Sequence, residues 1–339
     1  MKKRIICICM AALLSLSLLA GCGAEGNTDT EQDAAAQTVT VRLSEVTHSV
    51  FYAPQYVAMS QGFFADEGLD IDLSNGGGAD KVMTAVVSGG ADIGLAGPES
   101  CIYIHGQGKD DLPVIFAQLT KRDGSFLVGR EDKEFAWSDL KGKTIIGGRK
   151  GGVPEMTLEY VMRQNSMTPG EDAEVDTSVQ FNMMAGAFTG GNGDYVTLFE
   201  PTATEVELAG KGHILASIGA ESGEIPYTAF FAAKSYIAKN EKIIGSFTRA
   251  IARGQKWIAS HDAAEIADAI ADQFPDADRG VLTLVAQRYK DIDAWNADPI
   301  MKKEALERLE TVMEEAGELS ERVDFDALVD NSFAEKAIK

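Results

Sequence analysis

From Val39 to Phe231, short β-rich runs alternate with helix-forming stretches, and that rhythm leaves few architectures open. Val39-Thr40-Val41-Arg42-Leu43 reads as a strand. Ala53-Pro54 opens a helix that carries Tyr56, Val57, Phe63 and Phe64 and is stopped by Gly68. Leu69-Asp70-Ile71-Asp72-Leu73 alternates with period two, the pattern of a strand with one buried face. Asp80 then caps a helix through Val82, Met83, Val86 and Val87, which Gly89-Gly90 ends. Asp92-Ile93-Gly94-Leu95 and Leu112-Pro113-Val114-Ile115-Phe116 follow as strands. This order predicts a mainly parallel sheet with helices on both faces.

The rhythm then restarts. Phe126-Leu127-Val128 and Thr144-Ile145-Ile146 are strands, separated by a turn at residues 140–143. Residues 147–152 feed a helix begun by Pro154, with Leu158, Val161 and Met162 on one face. Residues 174–181, 195–199 and 213–218 supply later strands, and 227–231 one more. Residues 240–339 are helical in pattern, with Ile243, Ile244, Phe247, Ile251 and Ile258 in a core-facing stripe. We read two α/β lobes, the second inserted in the first. Residues 39–120 with 228–339 make lobe 1, and residues 121–227 make lobe 2. The chain crosses between them near Thr120-Lys121-Arg122 and Pro226-Tyr227-Thr228. A length of 339 residues suits two lobes better than one core, and an apolar fraction of 45% can fill them.

The first residues read as an address. Met1-Lys2-Lys3-Arg4 is basic, and residues 5–20 are a largely apolar run too short for a membrane span. The run ends in Leu19-Ala20-Gly21-Cys22, which resembles the lipobox of bacterial lipoproteins. Residues 1–21 are then a signal peptide, and Cys22 is the lipidated (palmitate-bearing) start of the mature chain. An ordinary secretory signal with a chance cysteine is the alternative. Residues 23–38 hold four acids, no cation and no aromatic residue, so residues 22–38 form a lipidated cysteine and flexible tether. Of Cys7, Cys9, Cys22 and Cys101, only Cys101 would remain free, and its apolar neighbours Ile102 and Ile104 assign it to the core. The folded part is expected at the outer face of the cell membrane, extracytoplasmic or periplasmic.

Several chemistries are excluded. Asp+Glu outnumber Lys+Arg by 52 to 31, for a net charge of -21, which argues against nucleic acid as a partner. Gly142-Lys143-Thr144 lacks the earlier glycine of a phosphate loop, since Trp137 stands there. Gly191-Asn192-Gly193 lacks the third glycine of a dinucleotide fingerprint, because residue 196 is Val196. His48, His105, His213 and His261 show no metal-ligand spacing, and Ser125 has no nucleophile-elbow pattern. Neither a catalytic constellation nor a metal or cofactor site is expected, so the chain reads as a non-enzyme. Four loops at strand ends are candidate binding elements instead: residues 47–52, 76–80, 96–100 and 147–154.

Phe51-Tyr52-Ala53-Pro54-Gln55-Tyr56-Val57-Ala58 and Gly62-Phe63-Phe64-Ala65-Asp66-Glu67-Gly68-Leu69-Asp70 resemble the opening of bacterial ABC-transporter solute-binding proteins. The branch is the one that binds nitrate, sulfonates, taurine or the pyrimidine precursor of thiamine. Ser88-Gly89-Gly90-Ala91-Asp92-Ile93-Gly94, Asp139-Leu140-Lys141-Gly142-Lys143 and Phe199-Glu200-Pro201 extend the resemblance in order over most of residues 41–260. It implies the type II periplasmic-binding-protein fold, two α/β lobes around a ligand cleft, with a helical C-terminal region. The implied partners are a small-molecule solute, an ABC permease with its ATPase, and the membrane through the lipid anchor. A monomer is expected.

The resemblance and the loops together single out ligand contacts. Phe51 and Tyr52 can stack on a flat ring, or serve as core aromatics. Gly97 and Glu99 stand where the family places contacts after the third strand. Gly151 and Gly152 precede the Pro154 helix, whose free N–H groups suit an anionic or polar group. Arg149 and Lys150 beside them read as a solvated turn. Asn182 and Glu200 come from lobe 2, and Tyr227 lies at the crossing. Glu99 and Glu200 favour a neutral or amino-bearing ligand over a simple anion, and Arg149 and Lys150 pull the other way. The ligand is expected to be a heteroaromatic metabolite such as a thiamine-type pyrimidine, with a sulfonate as the alternative. A ligand-sensing receptor subunit is a second functional reading. A thiamine-pyrimidine-synthesis enzyme is a third, although its cysteine-rich iron motif has no counterpart here.

Overall fold

Ten strands build two sheets of five among the described residues. The structure is a computed structural model and describes residues 38–108 and 111–339. The expected signal peptide, Cys22 and the tether through residue 37 lie outside the described residues. The strands are β1 (Val39–Glu45), β2 (Leu69–Asn75), β3 (Ile93–Ala96), β4 (Pro113–Thr120) and β5 (Ser125–Gly129). Then come β6 (Thr144–Ile146), β7 (Glu174–Asp176), β8 (Tyr195–Phe199), β9 (His213–Ser217) and β10 (Thr228–Ala233). The first sheet runs β2-β1-β3-β10-β4 and the second β7-β6-β8-β5-β9.

The two sheets share one plan. In each, three strands pair in parallel and the fourth position is taken by a strand that runs against both neighbours. That strand belongs to the other half of the chain: β10 follows the strands of the second sheet, and β5 follows those of the first. Both sheets are therefore mixed, not mainly parallel as the alternation suggested. The crossing explains it. A strand that enters from the neighbouring lobe comes in at the cleft end of its sheet, opposite to strands fed by helices from the far end.

Local details follow from side-chain chemistry. In β1 the residues Val41 and Leu43 are fully buried, while Arg42 points outward and pairs with Asp92 at 2.6 Å. Helix Ala79–Val87 starts after Gly78, so Asp80 sits inside the first turn and does not supply the cap. Its charge still faces the positive end of the helix dipole. The strand expected over residues 174–181 stops at Asp176, whose carboxylate accepts the Ser178 N–H at 2.8 Å and turns the chain. Phe181–Met183 is instead a single 3-10 turn. Helix Val153–Gln164 buries Leu158, Val161 and Met162 on one face.

The helical C-terminal region covers both lobes. Helix Glu241–Ser260 packs on Ala53–Ser60 and β4, burying Ile244, Phe247, Ile251 and Ile258, with Ile243 half-buried at the edge of the stripe. Phe247 meets Phe64 and Phe230 with ring centroids 5.1 and 5.0 Å apart, a contact range favourable to aromatic pairs. Helix Lys303–Glu315 touches Glu99–His105 on the first lobe and Val153–Gln164 on the second. Cys101 is buried and free.

Candidate functional site

The carboxyl ends of both sheets face one another across a cleft, where the strand-end loops converge. After β1 the chain passes Val46, Thr47 and Ser49 and tightens into the turn Val50–Tyr52, which presents Phe51 and Tyr52. Ser49 fixes that turn. Its Oγ accepts from the Phe51 N–H at 3.2 Å and donates to the Glu200 carbonyl of the other lobe at 2.7 Å. The Trp295 indole donates to the Phe51 carbonyl at 2.9 Å. The Phe51 ring is thus held among Tyr227, Phe199 and Tyr289, with centroids 5.6, 5.7 and 5.2 Å away.

After β3 come Gly97, Pro98 and Glu99, the last opening helix Glu99–His105. A Cβ on residue 97 would overlap Glu99 Oε2, so only glycine lets the carboxyl group fold back over the strand end. Glu99 is 2% exposed, and burial pushes its pKa up to about 7. Arg149 and the N–H groups of Glu99, Ser100 and Val153 pull in the other direction. Among the described residues Glu99 Oε2 has no hydrogen-bond partner. The second lobe contributes Val153, Pro154, Phe181 and Phe199, the crossing Tyr227, and the start of β10 Thr228. The enclosed space is tight in this arrangement of the lobes, about 60 Å³. No lining residue is lysine or arginine.

A second acid lies behind the aromatic wall. Asp123, on the first crossing, is fully buried; burial raises its pKa to about 7, and the Tyr227 hydroxyl beside it opposes part of that rise. Its Oδ1 accepts the Ser125 N–H at 2.6 Å, while Oδ2 has no partner among the described residues.

The sequence pattern of the family described as NMT1/THI5 like matches residues 50–265. The chain belongs to the NMT1/THI5-like family. It is 45% identical over 330 residues to "Putative binding protein YtlA" of Bacillus subtilis (strain 168), covering 97% of this chain and 96% of that one. The formylaminopyrimidine-binding protein of Halalkalibacterium halodurans is 23% identical over 259 residues, 74% of each chain. The alkanesulfonate-binding protein SsuA from Xanthomonas axonopodis pv. citri, solved with MOPS bound, superposes with a TM-score of 0.70 at 16% identity. That match covers 87% of this chain and 99% of the other, and it establishes a shared periplasmic-binding-protein fold.

On this NMT1/THI5-like frame, Phe51, Tyr52, Gly97, Glu99 and Tyr227 stand together around the cleft. Gly151 and Gly152 do not line it. They form the turn before helix Val153–Gln164, and the next two residues, Val153 and Pro154, reach the space instead. The Gly151 N–H already donates to Glu155 at 3.0 Å, and its carbonyl accepts from Tyr103. Asn182 is exposed, and its neighbour Phe181 is the lining residue. Glu200 is directed away from the ligand space. Side chains alternate along a strand, so with Phe199 turned into the cleft Glu200 turns behind it. There it accepts from the Thr204 N–H and hydroxyl at 2.9 and 2.8 Å and pairs with Arg288 at 2.9 Å. Val153 and Pro154 lie in the candidate loop 147–154 without being singled out there, and Phe199 and Phe181 escaped the sequence reading as contacts, because apolar side chains in a cleft look like core.

Proposed function

We propose that this chain is the extracytoplasmic solute-binding component of an ABC importer, capturing a small ring-bearing metabolite. One observation carries the reading: five aromatic side chains and the carboxyl group of Glu99 surround a single space to which both lobes contribute. Flat aromatic walls favour a ring, and a few placed polar groups set its orientation. Phe51 and Tyr52 supply the walls from the first lobe, Phe181 and Phe199 from the second with Tyr227 at the crossing, and Glu99 accepts from an amino group.

A simple anion is disfavoured. The N–H groups at the start of helix Val153–Gln164 would attract one, yet the Gly151 N–H is already taken by Glu155, and Glu99 faces the same helix start. The name of the formylaminopyrimidine-binding relative agrees with an amino-substituted heterocycle.

Residues 39–120 with 228–339 act as one jaw and residues 121–227 as the other, turning about the two crossings. Cys22 carries the lipid that holds the protein beside its permease, where tethering raises local concentration. Mass spectrometry of the membrane-extracted chain should find a diacylated N-terminal Cys22.

Thermal unfolding of the chain against aminopyrimidines, flavins, taurine, alkanesulfonates and nitrate tests the ligand class. A ligand at about 100 times its Kd stabilises by about 2.7 kcal/mol. Ring compounds should shift the transition. A shift with sulfonates alone would sink the aromatic reading and move the site to the Val153 helix start.

A further inference from the structure

We infer that the cleft takes an organic cation, with its charged N–H group against Glu99 and its ring between the aromatic walls. The inference rests on the solute-binding reading above and adds the sign of the ligand's charge. Glu99 lines the space, is 2% exposed and keeps Oε2 unpartnered among the described residues. Native proteins pair or hydrogen-bond their buried carboxylates, so a carboxyl group that lines a cleft with one oxygen unpartnered can accept from a donor on a ligand.

The charged and titratable groups that face Glu99 do not supply that donor. Cys101 and Tyr103 share its helix, Tyr52 approaches from the same lobe and Tyr227 from the crossing. Arg149 acts on Glu99 from the second lobe, but it stands exposed on a turn and is not among the lining residues. The walls themselves attract positive charge. Ring faces carry negative potential, and the attraction grows when the cation is desolvated. Asp123 behind Tyr227 adds a second buried acid to the same side. A net charge of -21 draws cations toward the protein at long range.

Burial holds the Glu99 carboxyl group near 7, so the pairing has a pH signature of its own. Below that value Glu99 takes up a proton, and a ligand of fixed positive charge loses its counter-charge.

Titration calorimetry on the full chain with 4-aminopyridine and aniline tests the inference. The first is protonated at neutral pH, and the second has nearly the same shape without the charge. At about pH 8, 4-aminopyridine should bind at least about tenfold more tightly than aniline, a difference that a single buried charge pair readily supplies. Glu99→Gln should abolish the preference, with circular dichroism checking its fold. In the unaltered protein, affinity for 4-aminopyridine should fall by up to about tenfold per pH unit between about 7 and 5. Equal or tighter binding of aniline, a preference that survives Glu99→Gln, or a flat pH profile would overturn the inference. Methanesulfonate binding in place of both amines would overturn it and leave solute capture standing. If the amines, the sulfonate and the wider panel all fail to bind, the solute-binding reading falls, and this inference with it.

Discussion

The Tyr103 hydroxyl donates to the Gly151 carbonyl at 2.8 Å, joining helix Glu99–His105 of one lobe to the entrance of helix Val153–Gln164 on the other. Ser49 Oγ makes a second tie, to the Glu200 carbonyl at 2.7 Å. Bonds of this kind exist only while the lobes are together, so they favour the closed form without touching the ligand. Tyr103→Phe removes one neutral hydrogen bond, worth about 1 kcal/mol net. Ligand affinity should drop about fivefold, mostly through faster dissociation. Stopped-flow release measures it, and an unchanged off-rate would show that this bond does not hold the lobes closed.

Glu200 should behave as a structural acid. Both its oxygens are engaged, by Thr204 and by the half-buried Arg288, which also pairs with Glu207 at 2.7 Å. Glu200→Gln leaves a guanidinium short of its buried partner, at a cost of about 3 kcal/mol. Urea unfolding should register that loss while ligand affinity stays within about twofold. Weaker binding at unchanged stability would return Glu200 to the ligand.

The difference between Glu99 and Glu200 shows what a sequence reveals of such a site. Period-two runs mark where strands end, and in this architecture ligands gather at strand ends, so the loops around Phe51, Gly97 and Pro154 were legible. Glu99 could be placed because it follows such an end by only three residues. Glu200 could not, since its role is set by which way one side chain alternates past Phe199 and by Arg288, 88 positions along the chain. Strand direction was hidden for a related reason. The apolar runs of β4 and β10 pack equally well either way, and only the crossing between lobes makes β10 antiparallel.

Gly124 gives the ring of Phe51 its room. A Cβ at residue 124 would stand 2.5 Å from the nearest ring carbons, in a site closed on other sides by Tyr289 and Trp295. Gly124→Ala should therefore cost about 1–3 kcal/mol by overpacking. Phe51 lines the cleft, so the displaced ring should weaken ligand binding as well. Thermal unfolding and near-ultraviolet circular dichroism would follow both effects. A variant with unaltered melting and spectrum would contradict the close approach.

Stability should fall as the medium turns from mildly acidic to alkaline. Burial raises Glu99 from 4.5 and Asp123 from 3.8, both to about 7, so between those values the folded chain holds protons that the unfolded chain has released. At 1.36 kcal/mol per pH unit, the rise at Glu99 corresponds to about 3 kcal/mol lost between about pH 4.5 and 7. His48 adds to the same trend. Its bond to Glu45 raises its pKa above 6.5, so its contribution is complete below that value and disappears as pH climbs through the folded-state pKa. Glu67 acts oppositely: its bond to Arg249 lowers its pKa, so its contribution is lost only when the medium becomes more acidic than its ordinary 4.5. The balance places maximum stability near about pH 5. Urea midpoints should be higher at about pH 5.5 than at about pH 8, and Asp123→Asn should flatten the slope between them. A profile that is flat across that range in the unaltered protein would mean the two buried carboxyl groups are charged and paired after all.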